Sequence, residues 1–248
     1  MTASAATTAN THPSQSDPLQ QKVVLVTGAS SGIGRELCIQ LAALGVQLII
    51  TGRALPRLES LESTLKKSAE SCNGPAPVLL PVNFEGLNND DLATIRDAIE
   101  NQFGRLDGLV HCAATPGTHA PLESYRADLW LRVNHVNAQI PMLLTQGLMP
   151  LLRNSQTPTI AFALDPSADQ GQAYWGAYGV SKAALRCFSN QLEAELDGSH
   201  FAVAGIELPA TLTPGRRQAF PSENEADLAK APDSARKIAD FVLAGLNR

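Results

Sequence analysis

Tyr178 and Lys182 stand four residues apart in the stretch Tyr178-Gly179-Val180-Ser181-Lys182. On a helix that spacing puts both side chains on one face. An ammonium beside a phenol favours the phenolate, so the pair reads as a proton donor and acceptor usable near neutral pH. A second constellation lies near the start of the chain. The β-branched and aliphatic run Val23–Val26 ends in Thr27-Gly28, and Gly28, Gly32 and Gly34 fall within seven positions. Ile33, Leu37, Leu41 and Leu44 then recur at helical spacing. A strand, a glycine turn and a helix in that order aim free backbone N–H groups and a positive helix end at one point, which makes an anion site, most often for phosphate. Gly28 permits the tight turn, Gly32 lets the backbone approach a pyrophosphate, and Gly34 brings helix and strand together. The bland alternative is a strand–helix connection with no ligand.

The elements that must carry these residues follow from the apolar pattern. Buried strands are expected at Val23–Val26, Val46–Thr51, Val78–Val82, Leu106–His111, Thr159–Leu164 and Ala202–Leu208. Between them the spacing predicts helices from Pro56 to about Ala69, over Asn88–Phe103, from about Leu129 to Arg153, and from about Tyr178 to Leu196. A short helix is expected at Ser222–Leu228 and a last one at Ala231–Leu246. This alternation predicts one α/β domain over residues 21–248, a doubly wound parallel sheet of about six strands with its ligand at the strands' carboxyl ends.

In such dinucleotide folds an acidic residue closing the second strand bonds the ribose 2′-hydroxyl, whereas an arginine accommodates a 2′-phosphate. Here the place is Gly52-Arg53, with no carboxylate, and Arg35 is a second candidate cation. A guanidinium grips a phosphate bidentately, so NADP(H) is favoured over NAD(H), the alternative being two solvated surface arginines.

The glycine turn T-G-x-x-x-G-x-G with Y-x-x-x-K downstream resembles the short-chain dehydrogenase/reductase family, and the likeness covers about Lys22 to Thr213. The resemblance implies a Rossmann-type fold and interconversion of a carbonyl and an alcohol by hydride transfer, with Tyr178 as acid/base and Lys182 lowering its pKa and holding the ribose. It implies a relay water anchored by Asn137, seven residues after Trp130, with Asn134 as a nearby decoy. It also implies cofactor contacts from Thr27, Gly28, Ser30, Ser31, Gly32, Ile33, Gly34, Arg35, Arg53, Asn83, Phe84, Cys112, Ala113, Ala114, Tyr178, Lys182, Pro209, Thr211 and Thr213. Trp175-Gly176-Ala177-Tyr178 and Ala219-Phe220-Pro221 are similar to a bacterial subgroup of uncharacterised oxidoreductases. The substrate pocket is expected in the loops Thr115–Ser124 and Thr213–Glu225.

The departures from the family pattern are informative. The active-site serine usually thirteen residues before the tyrosine is Asp165 here, followed by Pro166, and the nearest serine is Ser167. A hydroxyl donates and accepts, whereas an ionised carboxylate only accepts and opposes negative charge on a carbonyl oxygen. A second reading is therefore a catalytically impaired NADP(H)-binding protein of this fold, a sensor or assembly partner. Asn83 replaces the adenine-contacting aspartate, and His111-Cys112-Ala113-Ala114 replaces N-N-A-G, with His111 read as a strand-end structural residue. The family's seventh strand has no counterpart, which favours a homodimer through the two long helices.

A net charge of −5 and 17% charged residues suggest no nucleic-acid groove and no anionic membrane surface. The apolar runs are too short to span a membrane. Met1–Gln20, rich in Ala, Thr, Ser and Gln, reads as a disordered tail and leaves a cytoplasmic location as the expectation. Cys38, Cys72, Cys112 and Cys187 lie far apart, and those at 38 and 187 are expected as buried free thiols. The scattered histidines show no metal-ligand pattern.

Overall fold

The computed structural model describes residues 18–248. Most of the tail predicted at residues 1–20 lies outside them, and its end belongs to a 3₁₀ turn, Pro18–Gln21. Six parallel strands, β1 (Val23–Thr27), β2 (Gln47–Gly52), β3 (Val78–Pro81), β4 (Gly108–His111), β5 (Thr159–Leu164) and β6 (Ala202–Glu207), pair in the order β3-β2-β1-β4-β5-β6. The order reverses between β1 and β4, where Thr27 sits opposite His111. That switch point opens a crevice beyond the strand ends.

Alternate residues of each strand feed opposite faces. Val23 and Leu25 join one core with Ile95 and Ile99 of α3 (Asn89–Phe103) and with Leu144, Leu148, Leu185 and Leu192. Val24 and Val26 join the other, formed with α1 (Gly32–Ala42), α2 (Leu55–Cys72) and a C-terminal helix through Leu37, Leu41, Leu58, Leu61, Ile238 and Val242. Leu44 falls past the end of α1 and is exposed.

The long helix predicted over Leu129–Arg153 is instead α4 (Ala127–Asn134), a π-helical turn at His135–Gln139, and α5 (Ile140–Arg153). Pro141 supplies the cause: it has no N–H for the carbonyl four residues back, at Asn137, and its ring crowds that carbonyl. Helix α6 (Gly176–Glu195) carries Ala177, Ser181, Lys182, Leu185 and Leu192 on its buried face. Cys187, two positions after Leu185, turns outward and is exposed, against the expectation of a buried thiol, whereas Cys38 is buried. Cys38, Cys112 and Cys187 are free thiols, and the Cys72 thiol donates to backbone carbonyls of Ala42, Ser68 and Ala69.

The short helix expected at Ser222–Leu228 is only a 3₁₀ turn, Glu225–Asp227. The helical segment of this loop is α7 (Pro214–Ala219), where Thr213 caps the first turn by accepting from Arg216 N at 3.1 Å and Pro214 sits in that turn. A two-stranded ribbon of β7 (Thr211–Leu212) and β8 (Ala229–Lys230) closes the loop onto α8 (Ala231–Leu246). Among the described residues no helix is long and apolar enough to cross a membrane.

Candidate active site

A cleft of about 320 Å³ lies across the switch point, with Arg53 and Phe220 among its lining residues. Of the catalytic and cofactor-contact residues expected from the sequence, all but Thr27, Arg35 and Asn137 line it. Thr27 is buried beneath, where its hydroxyl donates to Val110 O and accepts from Cys112 N and Ala113 N at 3.1 and 3.2 Å. It therefore ties the end of β1 to the segment after β4. Arg35 pairs with Glu36 at 3.1 Å, and the structure does not bring it into the cleft.

The glycine turn is packed so that no side chain intrudes. At Gly28, φ is +68°, and a Cβ there would stand 2.7 Å from Ala113 Cα. At Gly32, φ is +57°, and a Cβ would stand 3.1 Å from Thr213 Cγ2 across the cleft. Among the described residues the Ser31 side chain does not cap the first turn of α1, which leaves the N–H groups of that turn available to an anion. These features fit a dinucleotide whose diphosphate lies against Gly32. Arg53 is held by Glu85 at 2.6 Å, with Arg132 at 3.9 Å from the same carboxylate. Glu85 escapes a sequence reading because it reaches Arg53 from the loop after β3. Thr211 lines the cleft, but its hydroxyl donates to Pro209 O at 2.6 Å and meets Ser234 at 2.7 Å.

The strand end of β5 delivers Asp165. Its Oδ1 accepts from Ser167 N at 3.1 Å and from Ser167 Oγ at 2.5 Å, an Asx turn that fixes the carboxylate. Its Oδ2 accepts from the Tyr178 hydroxyl at 3.0 Å. Burial, then the charge and hydrogen bond of Asp165, push the Tyr178 pKa well above that of an ordinary phenol, with Arg216 working weakly the other way. The expectation that Lys182 holds Tyr178 toward phenolate is thereby corrected. The Lys182 ammonium lies 5.8 Å from the Tyr178 ring centre and donates to Ala163 O at 3.3 Å, and the adjacent carboxylate outweighs it. Burial lowers the pKa of Lys182 itself, against the opposing pull of Asp165, Cys112 and Asp169. The Tyr178 hydroxyl thus keeps its proton and donates it in a hydrogen bond to the Asp165 carboxylate.

Asn137 is buried behind this pair. The π-helical turn aims its amide at the backbone of Thr115, accepting from Thr115 N at 2.8 Å and donating to Thr115 O at 2.9 Å, with a further bond to Ser181 Oγ at 3.0 Å. Ser181 in turn donates to Tyr178 O at 2.8 Å. Asn137 therefore locks the loop after β4 to the helix that carries Tyr178, and Asn134 only bonds back to Trp130 O.

His111 is a structural residue: buried, stacked on Phe162 and bonded to Thr145 at 3.0 Å, with burial lowering its pKa to about 3. Burial likewise pushes the Cys112 thiol up to about 12. Beyond Tyr178 the wall is formed by His119, Phe220 and Arg216. Arg216 is held bidentately by Glu223, both bonds 2.7 Å, and lies 4.7 Å over the Phe220 ring. The signal for Arg216 was present in Thr213-Pro214, a helix start that places the residue three positions past the cap inside the cleft.

The sequence profile of the short chain dehydrogenase family matches residues 22–224. The chain is 31% identical to the uncharacterized oxidoreductase YciK of Escherichia coli strain K12 over 217 residues, 88% of this chain and 84% of that protein. It superposes on a protein of Shigella flexneri 2a strain 301, assigned as a short chain dehydrogenase and complexed with NADP, with a TM-score of 0.83 and 30% identity. That match covers 93% of this chain and 92% of the other. A similar protein of Escherichia coli CFT073, complexed with NADPH, gives a TM-score of 0.83 and 30% identity, covering 91% and 92%.

Proposed function

Because the chain belongs to the short chain dehydrogenase family, we propose that it is an NADP(H)-dependent oxidoreductase that interconverts a carbonyl and an alcohol. Supporting the cofactor are the uncapped start of α1, the bare backbone at Gly32 and the absence of a carboxylate at the end of β2. In this reading Arg53 grips the 2′-phosphate, the first turn of α1 receives the diphosphate, Asn83 and Phe84 flank the adenine, and Lys182 holds the nicotinamide ribose. Bound in its reduced form, the cofactor supplies a hydride to the carbonyl carbon. Tyr178 holds the proton and delivers it to the carbonyl oxygen. Asn137 keeps Thr115 and α6 in register around that oxygen, with one acceptor lone pair left for a relay water.

The observation that carries this reading is the Tyr178 hydroxyl, protonated and set within the same cleft as the glycine turn. NADPH oxidation against a carbonyl panel tests it: turnover is expected in the native protein and a fall of at least about 100-fold in Tyr178→Phe. Undiminished turnover in the variant removes the mechanism.

A second reading, a cofactor-binding protein with little catalysis, is favoured by one observation, that the Tyr178 hydroxyl is engaged by Asp165. NADPH binding without turnover until Asp165→Ser is made supports it. For assembly we propose a homodimer through α5 and α6, supported by the surface groove between Met142, Met149, Phe188 and Leu192. Light scattering on the full chain is expected to give twice the monomer mass.

A further inference from the structure

We propose that the substrate group this site reduces best is a protonated C=N bond rather than a ketone, with Asp165 as the residue that selects it; this deepens the reading of the cleft as an NADP(H) site and rests on it. The two substrate classes differ in the charge they carry as they are reduced. Reducing a ketone builds an oxyanion, which needs donors around it. Asp165 offers none as it stands, because every partner it has is a donor: Ser167 N, Ser167 Oγ and the Tyr178 hydroxyl. A carboxylate with three accepted bonds keeps one lone-pair direction free, and what suits it is an N–H.

The surrounding charges point the same way. Asp165 interacts with the Lys182 ammonium, the Arg216 guanidinium and the Glu223 carboxylate, and Asp169 also acts on Lys182. Arg216 is taken up by Glu223 and Asp169 by Arg186, so Asp165 and Lys182 are the pair left to set the local field. With serine at position 165 that field would be positive and favour an oxyanion. With Asp165 it is close to neutral, and the carboxylate itself faces the cleft.

For a protonated imine the electrons balance without an oxyanion. The carbon accepts a hydride from NADPH, the C=N π pair becomes the nitrogen lone pair, and a neutral amine results with NADP⁺. The substrate's positive charge is consumed in the same step, so the carboxylate stabilises the bound substrate and meets no growing negative charge. The imine nitrogen carries its proton before the hydride arrives, and it gains the next one from solvent after release.

The test uses the full chain and two shape-matched pairs. The first pair, 2-methyl-1-pyrroline and 2-methylcyclopentanone, is compared by kcat/KM with NADPH. The second, 2-methylpyrrolidine and 2-methylcyclopentanol, is compared by calorimetric titration with and without NADP. The imine is expected to be reduced at least about tenfold faster than the ketone, and the amine to bind at least about tenfold tighter than the alcohol. Asp165→Asn, which keeps the acceptor of the Asx turn and removes the charge, is expected to erase both preferences, and Asp165→Ser to reverse the kinetic one. A ketone preferred by the native protein, or preferences untouched in Asp165→Asn, overturns the proposal. If neither compound turns over, equal binding of amine and alcohol overturns it and a charge-dependent amine preference supports it. Failure of NADP to bind overturns the cofactor reading separately, while the titrations without NADP still decide the role of Asp165.

Discussion

Replacing Asp165 with serine changes four interactions at once, and their sizes can be set against each other. Tyr178 loses its acceptor at 3.0 Å, so its proton is freed for the substrate. The carboxylate charge goes, and with it a repulsion on a developing oxyanion of up to about 4 kcal/mol at 4 Å in an effective dielectric of about 20, before the offset from Lys182. A hydroxyl donor appears where the oxyanion forms, an interaction typically worth about 10²–10³ in rate. Against this the Asx turn loses two bonds from Ser167, a stability loss of about 1–2 kcal/mol. For a chain of this length that lowers Tm by roughly 2–8 °C and leaves the protein folded. The expected outcome is a rise in kcat/KM for ketone reduction of about 100-fold or more, assayed by NADPH absorbance on 2-methylcyclopentanone, with a small fall in Tm. An unchanged or lower kcat/KM in a folded Asp165→Ser protein refutes the assignment of Asp165 as the group that restrains Tyr178.

Other outcomes follow from the same structure. Gly28→Ala places a Cβ 2.7 Å from the Ala113 backbone at a left-handed φ of +68°, so it should destabilise the protein by about 2–5 kcal/mol and abolish NADPH binding, read by thermal melts and fluorescence titration. Arg53→Ala should weaken NADPH binding by about tenfold at low salt and leave NADH unchanged, whereas Glu85→Gln, which frees the guanidinium, should tighten NADPH by up to about fivefold. His111 has a folded pKa lowered to about 3 from an unfolded value of about 6.5. Between those values the unfolded chain binds a proton that the native one does not, so this contribution is complete above about pH 6.5 and is lost as pH falls toward 3. The slope is up to about 1.4 kcal/mol per pH unit. His111→Phe should remove that part of the acid sensitivity, measured as the difference between the two proteins in urea unfolding at pH 6.5 and 4.5.

Much of the fold is legible in the sequence because both faces of the sheet are buried. Val23–Val26 and Thr159–Leu164 are apolar runs for that reason, and the glycine turn is marked by positions where a Cβ would collide with Ala113 or crowd Thr213. The Tyr178–Lys182 spacing is legible because a helix period is local. The raised pKa of Tyr178 is not, since it depends first on burial and then on which way the Asp165 carboxylate points, which is decided by the Asx turn with Ser167. The break in the long helix had a visible marker in Pro141, but apolar periodicity continues across it and conceals the change of pitch at Asn137. Glu85 and Glu223 acquire meaning only through Arg53 and Arg216, partners brought to them by tertiary contact. Even the register of α7 rests on one cap, Thr213, inside a loop otherwise without period.

In the proposed ketone reduction a hydride from the cofactor and a proton from Tyr178 reach one substrate in the cleft of the glycine turn. NADPH carrying deuterium at the transferable C4 position, with product analysed by mass spectrometry, measures it most directly. One deuterium is expected on the reduced carbon, formed at least about 100-fold more slowly by Tyr178→Phe. Product without deuterium, or labelled product formed equally fast by the variant, contradicts the account.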